Sequence, residues 1–477
     1  MGRTPFHRQT ARSIVATLTI ALLTVGCGQA NPDPSTGPVV PSAASSPATA
    51  PSSSSVTPAP SAVATIPQPE PPAGLPTAPE GARVDIEMPV FTNPTSITNP
   101  LFPISRQASV LMLGRVDDEP FRTEVTLLPF TRIIDWDGVS VETLVSQYAA
   151  YLDGRITEIA YDYYAQADDG SVWYFGEDVF DFVDGAIVTT EGTWLAGKDG
   201  PAAMIMPARP SVGDVYRPEN VPGFVFEEVT VKAVDQRLDG PLGPIPGGLS
   251  ISELHADGTT EAKLFAPGYG EFRTGGGGDV EALALAVPTD ALDVPVPADL
   301  EALSAGALTT FDDAGAGRWT HASTMAAELA TAWRRVSGGD VPPAIAADLD
   351  TGLRRLDAAI KAKRSDRARI ASIEVARSAF DLQLRHRPTT EVDLARFDLW
   401  AAQTIVDSSA EDAAGVNASV FALDYIRDRF VHILDAPLAT QLNTQLNELQ
   451  AAVIDDDFET ATDAATELRR LLAGTRS

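Results

Sequence analysis

Alternating apolar and polar residues in the first half of the chain predict long β-strands. The segment 121–130 places Phe, Thr, Val and Leu on one face and Arg, Glu and Thr on the other, which is the two-residue period of a half-buried strand. Asp-Gly pairs, which suit the positive φ of a tight hairpin turn, recur every 15 or 16 residues among segments rich in Val, Ile and aromatic residues. The pairs are Asp137-Gly138, Asp153-Gly154, Asp169-Gly170, Asp184-Gly185 and Asp199-Gly200.

This spacing predicts an antiparallel β-domain over residues 88–287. Asn93-Pro94 and Asn99-Pro100 mark turns at its entry. Strands of about ten residues or more twist strongly, so an all-β meander of such strands curls into a barrel, a half-barrel or a bent sandwich. We expect one of these three arrangements.

From residue 318 to residue 477 the apolar pattern changes to a helical period. An apolar stripe recurs 93 residues further along the chain, which indicates an internal duplication of a helical hairpin. The stripe is Leu349, Leu353, Leu356 and Ile360, and its counterpart is Leu442, Leu446, Leu449 and Val453. Helices are predicted over about 318–336, 342–363, 366–386, 391–411, 415–434, 437–454 and 457–473. Together they predict a helical bundle or a short stack of hairpins.

Residues 288–317 separate these two regions. They contain Pro288, Pro295 and Pro297 followed by small residues, which predicts a linker. The expected fold class is therefore multidomain α+β with the two kinds of structure segregated, an all-β domain first and an all-α domain after the linker.

The first 27 residues have the pattern of an export signal. Three arginines precede an uncharged apolar run at 13–25, which is short for a membrane span, and Gly26-Cys27 follows it. The position of the cysteine resembles that in a bacterial lipoprotein signal, although Thr24 stands where that pattern usually has Leu. In that family the cysteine receives a thioether-linked diacylglycerol and becomes the mature N-terminus. The resemblance implies that residues 1–27 are a lipoprotein signal peptide and that Cys27 is lipidated; ordinary cleavage and a free thiol in an uncleaved signal are the alternatives.

The following segment, 28–87, is rich in Pro, Ser and Ala. Its N-terminal part buries too little apolar area to offset chain entropy, so we expect a disordered tether. At ~3.1 Å per residue, an extended tether of this kind holds a domain on the order of 150 Å from the membrane. A ligand for a proline-binding partner is the alternative. With the lipid anchor, the tether predicts a protein of the cell envelope, on the outer face of the plasma membrane.

The net charge and the cysteine count exclude some classes of partner and of site. The chain has 35 basic and 65 acidic residues and a formal net charge of −30, which repels nucleic acid. Cys27 is its one cysteine, so an intramolecular disulfide and an all-cysteine metal site are excluded. We expect the membrane as a partner through the N-terminal lipid anchor, and an envelope ligand or a protein partner for the folded domains.

The sequence contains no recognisable catalytic motif. Gly-x-Ser-x-Gly, His-Glu-x-x-His, the Walker loop and the Rossmann fingerprint are all absent. We therefore predict a non-catalytic binding or structural module, without catalytic residues, cofactor or metal site. The alternatives are a hydrolase of a cell-envelope polymer that uses paired carboxylates, and a lipid carrier with a half-barrel cavity.

Residues 161–178 form the densest aromatic run in the chain. Tyr161, Tyr163, Trp173 and Phe175 are candidates for a ligand-binding face, because the concave side of a half-barrel suits a lipid, a glycan or a cell-wall fragment. Aromatic residues at strand spacing more often belong to the core, which is the alternative.

Two sets of residues could bind a cation. Asp168, Asp169, Glu177 and Asp178 supply many oxygen atoms, but calcium needs about six to eight oxygens that converge on one point, and ordinary turn chemistry also explains these acids. In the second set, Glu253 and His255 are two residues apart on a predicted strand and share a face. No third ligand is identifiable, so an exposed pair at a strand edge is the alternative.

Four segments resemble a group of uncharacterised bacterial exported proteins. They are YAQADDGSVWYFGED at 164–178, EGTWLAGKDG at 191–200, MIMPA at 204–208 and APGYGE at 266–271. The resemblance covers roughly residues 90–275. It implies an extracytoplasmic β-domain and gives no substrate.

Overall fold

The computed structural model describes residues 65–66, 68–275 and 279–473. The predicted signal peptide, Cys27 and most of the predicted tether lie outside the described residues. The described strands are β1 (Ser109–Val116), β2 (Glu119–Trp136), β3 (Val139–Leu152), β4 (Arg155–Gln166), β5 (Val172–Val183), β6 (Ala186–Thr189), β7 (Trp194–Leu195), β8 (Ala203–Met206), β9 (Val215–Val221), β10 (Val225–Gly240), β11 (Gly243–His255), β12 (Thr260–Ala266), β13 (Gly270–Gly275) and β14 (Val280–Val287). The described helices are α1 (Ala298–Gly315), α2 (Trp319–Val336), α3 (Pro343–Lys361), α4 (Ser365–Gln383), α5 (Thr389–Ser409), α6 (Ala413–Phe430), α7 (Ala436–Ile454) and α8 (Phe458–Ala473).

The strands form one antiparallel sheet. Its order is β6-β5-β4-β3-β2-β1-β14-β13-β12-β11-β10-β9, and β7 and β8 pair with β5. Strand β8 also contacts β9, so the two ends of the order approach each other. Among the described residues no ladder joins β8 to β9, and the sheet is strongly curved without closing into a barrel. The predicted fold class, an antiparallel meander followed by segregated helices, is confirmed.

Three of the five Asp-Gly pairs, at residues 137, 153 and 184, make hairpin turns with positive φ at both residues, as predicted. The pair at 169 joins β4 to β5 without a positive φ at its Asp, and the pair at 199 lies between β7 and β8, which pair with β5 and not with each other. Asp137 and Gly138 have φ of 49° and 78° between β2 and β3, and Asp153 and Gly154 have φ of 45° and 76° between β3 and β4. Positive φ at both central residues is the type I′ geometry, whose twist matches that of the strands it joins. The turns therefore fix the register of the longest strands.

The helical domain contains the predicted repeat and extends it. Helix α1 packs on α2 and α4, and α5 packs in the same way on α6 and α8, so two four-helix units follow each other. Leu349 and its counterpart Leu442 are both fully buried. The turn residues Lys363 and Asp456, also 93 apart, have φ of 50° and 52°. These two features of α3–α4 thus have equivalents in α7–α8. None of the described helices combines the length and the apolar character needed to span a bilayer.

Two predicted boundaries are wrong. Most of the predicted linker 288–317 is α1, because Leu300, Leu303, Ala307 and Phe311 recur at helical spacing and are buried against the other helices.

The second boundary is the end of the predicted tether at residue 87. The described part of this segment packs on the β-domain: Arg83 and Asp85 form a buried ion pair of 2.6 Å, and Asp85 accepts a hydrogen bond from the backbone N–H of Arg217 in β9. The backbone N–H of Ala78 donates to Glu228 of β10. These contacts satisfy polar groups that a free tether would leave in solvent.

The helices cover the outer face of the sheet through a buried ion network. Arg122 and Glu124 lie on β2, Asp381 on α4, Arg396 on α5 and Arg429 on α6. Arg429 Nη1 lies 2.6 Å from Glu124 Oε2, and Arg122 donates to both Glu124 and Asp381. The network joins the two domains and leaves the inner face of the sheet to enclose a cavity.

Candidate ligand-binding cavity

The curved sheet encloses a cavity of about 250 Å³. Its lining residues come from β1–β5 and β8–β14, together with the segment 102–107 that precedes β1. Alternation along β4 shows how the wall is built, because Glu158, Ala160, Asp162 and Tyr164 face the cavity while the residues between them face outward. The inner face of the sheet is therefore the wall of the cavity.

The cavity wall is strongly acidic. Among the described lining residues Lys263 is the one Lys or Arg, whereas nine carry carboxyl groups. The nine are Glu158, Asp162, Glu177, Glu219, Glu227, Glu253, Glu261, Glu271 and Glu281. Carboxyl groups are rarely buried without a partner, so their accumulation on the inner face of a sheet calls for a functional explanation.

Burial raises the pKa of most of these carboxyl groups. The pKa of Asp162 is raised to about 7 by burial, and a hydrogen bond from Tyr174 opposes this shift only in part. The pKa of Glu253 is raised to about 7 by burial and by the neighbouring carboxylate of Glu227. The pKa of Glu281 is raised to about 8 by burial and by the charge of Glu271. The cavity wall therefore has many more carboxyl groups than positive charges that could pair with them.

Two contacts partly relieve this repulsion. Lys263 Nζ lies 2.8 Å from Glu253 Oε2. Burial alone would lower the pKa of Lys263, but Glu253 and the other carboxylates around it raise this pKa well above its usual value. Glu177 and Glu219 are hydrogen-bonded to each other, and burial together with the charge of Glu219 raises the pKa of Glu177 well above its usual range. The two groups are therefore suited to share a proton.

Tyrosine rings and hydroxyl groups complete the wall. Tyr164 and Tyr174 stack with their ring centroids 5.0 Å apart, and Tyr174 donates a hydrogen bond of 2.8 Å to Asp162. In the described part of the chain, the buried hydroxyl groups of Ser146, Tyr216 and Thr274 line the cavity and have no hydrogen-bond partner. Buried polar groups are almost always hydrogen-bonded, so these hydroxyls are suited to pair with a molecule in the cavity.

The four aromatic residues predicted to form a ligand face do not line the cavity. Tyr161, Tyr163, Trp173 and Phe175 lie on the opposite face of β4 and β5, and none is among the described lining residues. Tyr161 donates to Asp428 of α6, and Trp173 and Phe175 pack on Trp136. The lining tyrosines are instead their sequence neighbours Tyr164 and Tyr174, because successive residues of a strand point to opposite faces.

The four acids considered for calcium do not converge on one point. Asp168 accepts hydrogen bonds from the N–H and hydroxyl of Thr92, and Asp169 accepts those of Ser171.

Asp178 pairs with Arg132 at 2.9 Å and accepts a hydrogen bond from Tyr163. Glu177 alone of the four faces the cavity. A shared calcium site of these four residues is therefore wrong, and turn and strand contacts explain three of them.

Glu253 and His255 do share a face, as predicted, and the structure adds Glu227. One ligand atom from each of the three residues lies within 4.8 Å of the others. Glu227 is on β10, directly opposite His255 in the ladder. Sequence spacing could not have found it, because the neighbour across a ladder depends on the register.

Comparison with known proteins assigns no function to this cavity. The chain matches no protein-family model, and it has no significant match among curated proteins. The cavity and the sequence are therefore the basis for inferring the function.

Proposed function

We propose that the β-domain is a non-catalytic binding module for a small organic cation that carries two or more protonated amino groups. The observation that carries this proposal is the charge of the wall, where nine carboxyl groups face one lysine. A protonated amine forms charge-assisted hydrogen bonds with carboxylates and replaces the protons that now reduce their repulsion.

The rest of the wall suits the same ligand. Tyrosine faces attract cations at close range, and Tyr148, Tyr164, Tyr174 and Tyr216 all contribute to the lining. Apolar residues such as Ile251 and Val229 lie between the polar ones and suit the methylene groups that separate amines. Pockets for drug-sized ligands have volumes of about 300–1,000 Å³, so a cavity of about 250 Å³ favours a small, slender molecule. A linear polyamine such as spermidine meets these requirements.

The proposal includes an extracytoplasmic setting with a lipid anchor on Cys27. It is supported by the basic and apolar pattern of residues 1–25, by Gly26-Cys27 and by the Pro- and Ser-rich segment that follows. A Cys27→Ser variant is expected to leave the membrane fraction and to lose labelled fatty acid. Retention of both by the variant would contradict the anchor and leave the cavity proposal standing.

Two other functions fit the cavity less well. A lipid carrier needs an apolar interior, whereas this wall carries carboxyl groups on β4, β5 and β9–β14. A hydrolase with paired carboxylates needs the two groups about 5–10 Å apart, with one on each side of the scissile bond. Glu177 and Glu219 are hydrogen-bonded to each other, so this pair is too close for that arrangement.

Thermal unfolding of the purified full-length protein with added spermidine tests the proposal. We expect spermidine to raise Tm at neutral pH, and a neutral sugar of similar size to leave it unchanged. The double variant Asp162→Asn, Glu281→Gln is expected to have a higher Tm without ligand, because two carboxyl groups whose burial costs free energy at neutral pH are removed. It is also expected to respond less to spermidine, because it lacks two groups that can ionise and pair with an amine.

Glu119→Gln is the matched control, since Glu119 is exposed and lies outside the cavity. An equal response of the control and the double variant would contradict the proposal, as would an equal effect of the neutral sugar.

A further inference from the structure

We propose that Glu227, Glu253 and His255 form a binding site for a divalent transition-metal ion such as Zn²⁺. Glu227 on β10 faces His255 across the β10–β11 ladder, and Glu253 lies two residues before His255 on the same face of β11. One ligand atom of each residue lies within 4.8 Å of the other two. The register of two neighbouring strands therefore brings three metal-binding side chains together.

The environment of the His255 imidazole indicates that a ligand binds at this position. The side chain of His255 is 4% exposed, and within the described residues its Nδ1 has no hydrogen-bond partner. Glu227 Oε1 lies 3.4 Å from this nitrogen, in an orientation that makes no hydrogen bond. Two ligand atoms bound at about 2.1 Å to one tetrahedral zinc are about 3.4 Å apart, so the two atoms already have the separation that a shared metal ion requires.

The donor set selects the class of metal. Two carboxylate oxygens and one imidazole nitrogen suit Zn²⁺ and its first-row neighbours, whereas Ca²⁺ and Mg²⁺ prefer oxygen ligands alone. Three protein ligands leave one position of a tetrahedral ion for water or for another ligand. Glu227 and Glu253 also line the acidic cavity, where a doubly positive ion would reduce the repulsion among the carboxylates.

Lys263 is the natural competitor of a metal ion at this site. Its Nζ lies 2.8 Å from Glu253 Oε2, which leaves Glu253 Oε1 as the oxygen for a metal. The positive charge of the lysine opposes the binding of a cation. Replacing this lysine with an uncharged residue is therefore expected to strengthen metal binding, an effect that a purely structural ion-pair cluster does not predict.

Isothermal titration calorimetry with Zn²⁺ on the EDTA-treated full-length protein tests the site. We expect one equivalent of Zn²⁺ to bind to the wild type, with Ca²⁺ giving no heat at the same concentration. His255→Gln and Glu227→Gln are each expected to weaken Zn²⁺ binding at least about tenfold. Lys263→Met is expected to tighten it several-fold. His432→Gln, which changes an exposed histidine in the helical domain, is the matched control and is expected to bind as the wild type does.

The competing results are distinct. No heat with Zn²⁺, or equal binding by His255→Gln and His432→Gln, overturns the proposed site, provided that circular dichroism shows both variants to be folded. The proposed site does not depend on amine binding, and His255 is not among the described residues that line the cavity. The His255→Gln variant is therefore expected to keep its spermidine response while it loses Zn²⁺ binding. The two proposals can in this way fail independently of each other.

Discussion

Arg429 joins the helical domain to the β-sheet, and we predict that its loss destabilises the whole protein. Its side chain is 0% exposed. Nη1 lies 2.6 Å from Glu124 of β2, and Nε donates a hydrogen bond of 2.6 Å to Gln147 of β3. An Arg429→Met variant keeps most of the apolar volume of the side chain and removes the charge and both hydrogen bonds.

Removing one partner of a buried ion pair costs about 3–5 kcal/mol of unfolding free energy, because the remaining charge is left uncompensated. Two features place the expected loss at the lower end, about 3 kcal/mol. Arg122 and Arg396 still neutralise Glu124 after the substitution. In the described residues Nη2 of Arg429 has no hydrogen-bond partner, so the native side chain already carries an unsatisfied donor.

Arg427→Met provides the matched control. Arg427 is two residues away on α6 and pairs with Asp424 and Asp428 at the surface, where its side chain is 26% exposed. Exposed ion pairs contribute about 0–1 kcal/mol, so we expect the control to lose no more than that.

Urea unfolding followed by far-ultraviolet circular dichroism measures both free energies, with a constant denaturant slope as the check that the same surface is exposed on unfolding. A loss below about 1 kcal/mol for Arg429→Met, or a loss equal to that of Arg427→Met, would refute the reasoning.

Two further predictions concern the cavity wall and its strands. The pKa values of Glu281, about 8, and of Asp162 and Glu253, about 7, lie above those of unfolded carboxylic acids, so the native state binds more protons than the unfolded state. Their contribution to stability is complete below about pH 4 and is lost as the pH rises through 7 to 8. We therefore expect Tm to fall from pH 5 to pH 9, and to fall less steeply in Glu281→Gln. A rise of Tm over this range would contradict the raised pKa values of these three carboxyl groups. Gly176 has φ of 110°, and a Cβ there would lie 2.1 Å from the backbone oxygen of Trp194. Gly176→Ala is therefore expected to lose at least about 2 kcal/mol of unfolding free energy, measured by urea unfolding. An unchanged urea midpoint would show that the strand accommodates the methyl group without strain.

The sequence predicts the elements of this fold well because their periods are strong. Asp-Gly turns separate β2 to β5, and an apolar stripe at helical spacing marks α3 and its repeat α7. Helix α1 is missed because Pro295, Pro297 and several small residues suggest a linker, although Leu300 and Leu303 begin a helical stripe.

The site is harder to predict than the fold. Alternation along β4 separates Glu158 and Asp162 from Ile159 and Tyr161, but it does not say which set faces the concave side of the sheet. The prediction that Tyr161, Tyr163, Trp173 and Phe175 form the ligand-binding face therefore selected the wrong face of β4 and β5.

The missed residues follow from long-range pairing. Glu227 approaches Glu253 and His255 because β10 and β11 pair in a particular register, which includes three irregular steps. Nine carboxyl groups meet in the cavity because the sheet curves until β8 contacts β9. Neither the register nor the curvature is encoded in the spacing of residues along one strand.

Calorimetric titration of spermidine into the purified full-length protein at neutral pH measures the central claim most directly. We predict saturable binding of one spermidine per chain, weakened in the Asp162→Asn, Glu281→Gln variant and unchanged in Glu119→Gln. Absence of saturable heat at millimolar spermidine, or equal affinity in all three proteins, would contradict the assignment of the acidic cavity as a site for organic cations.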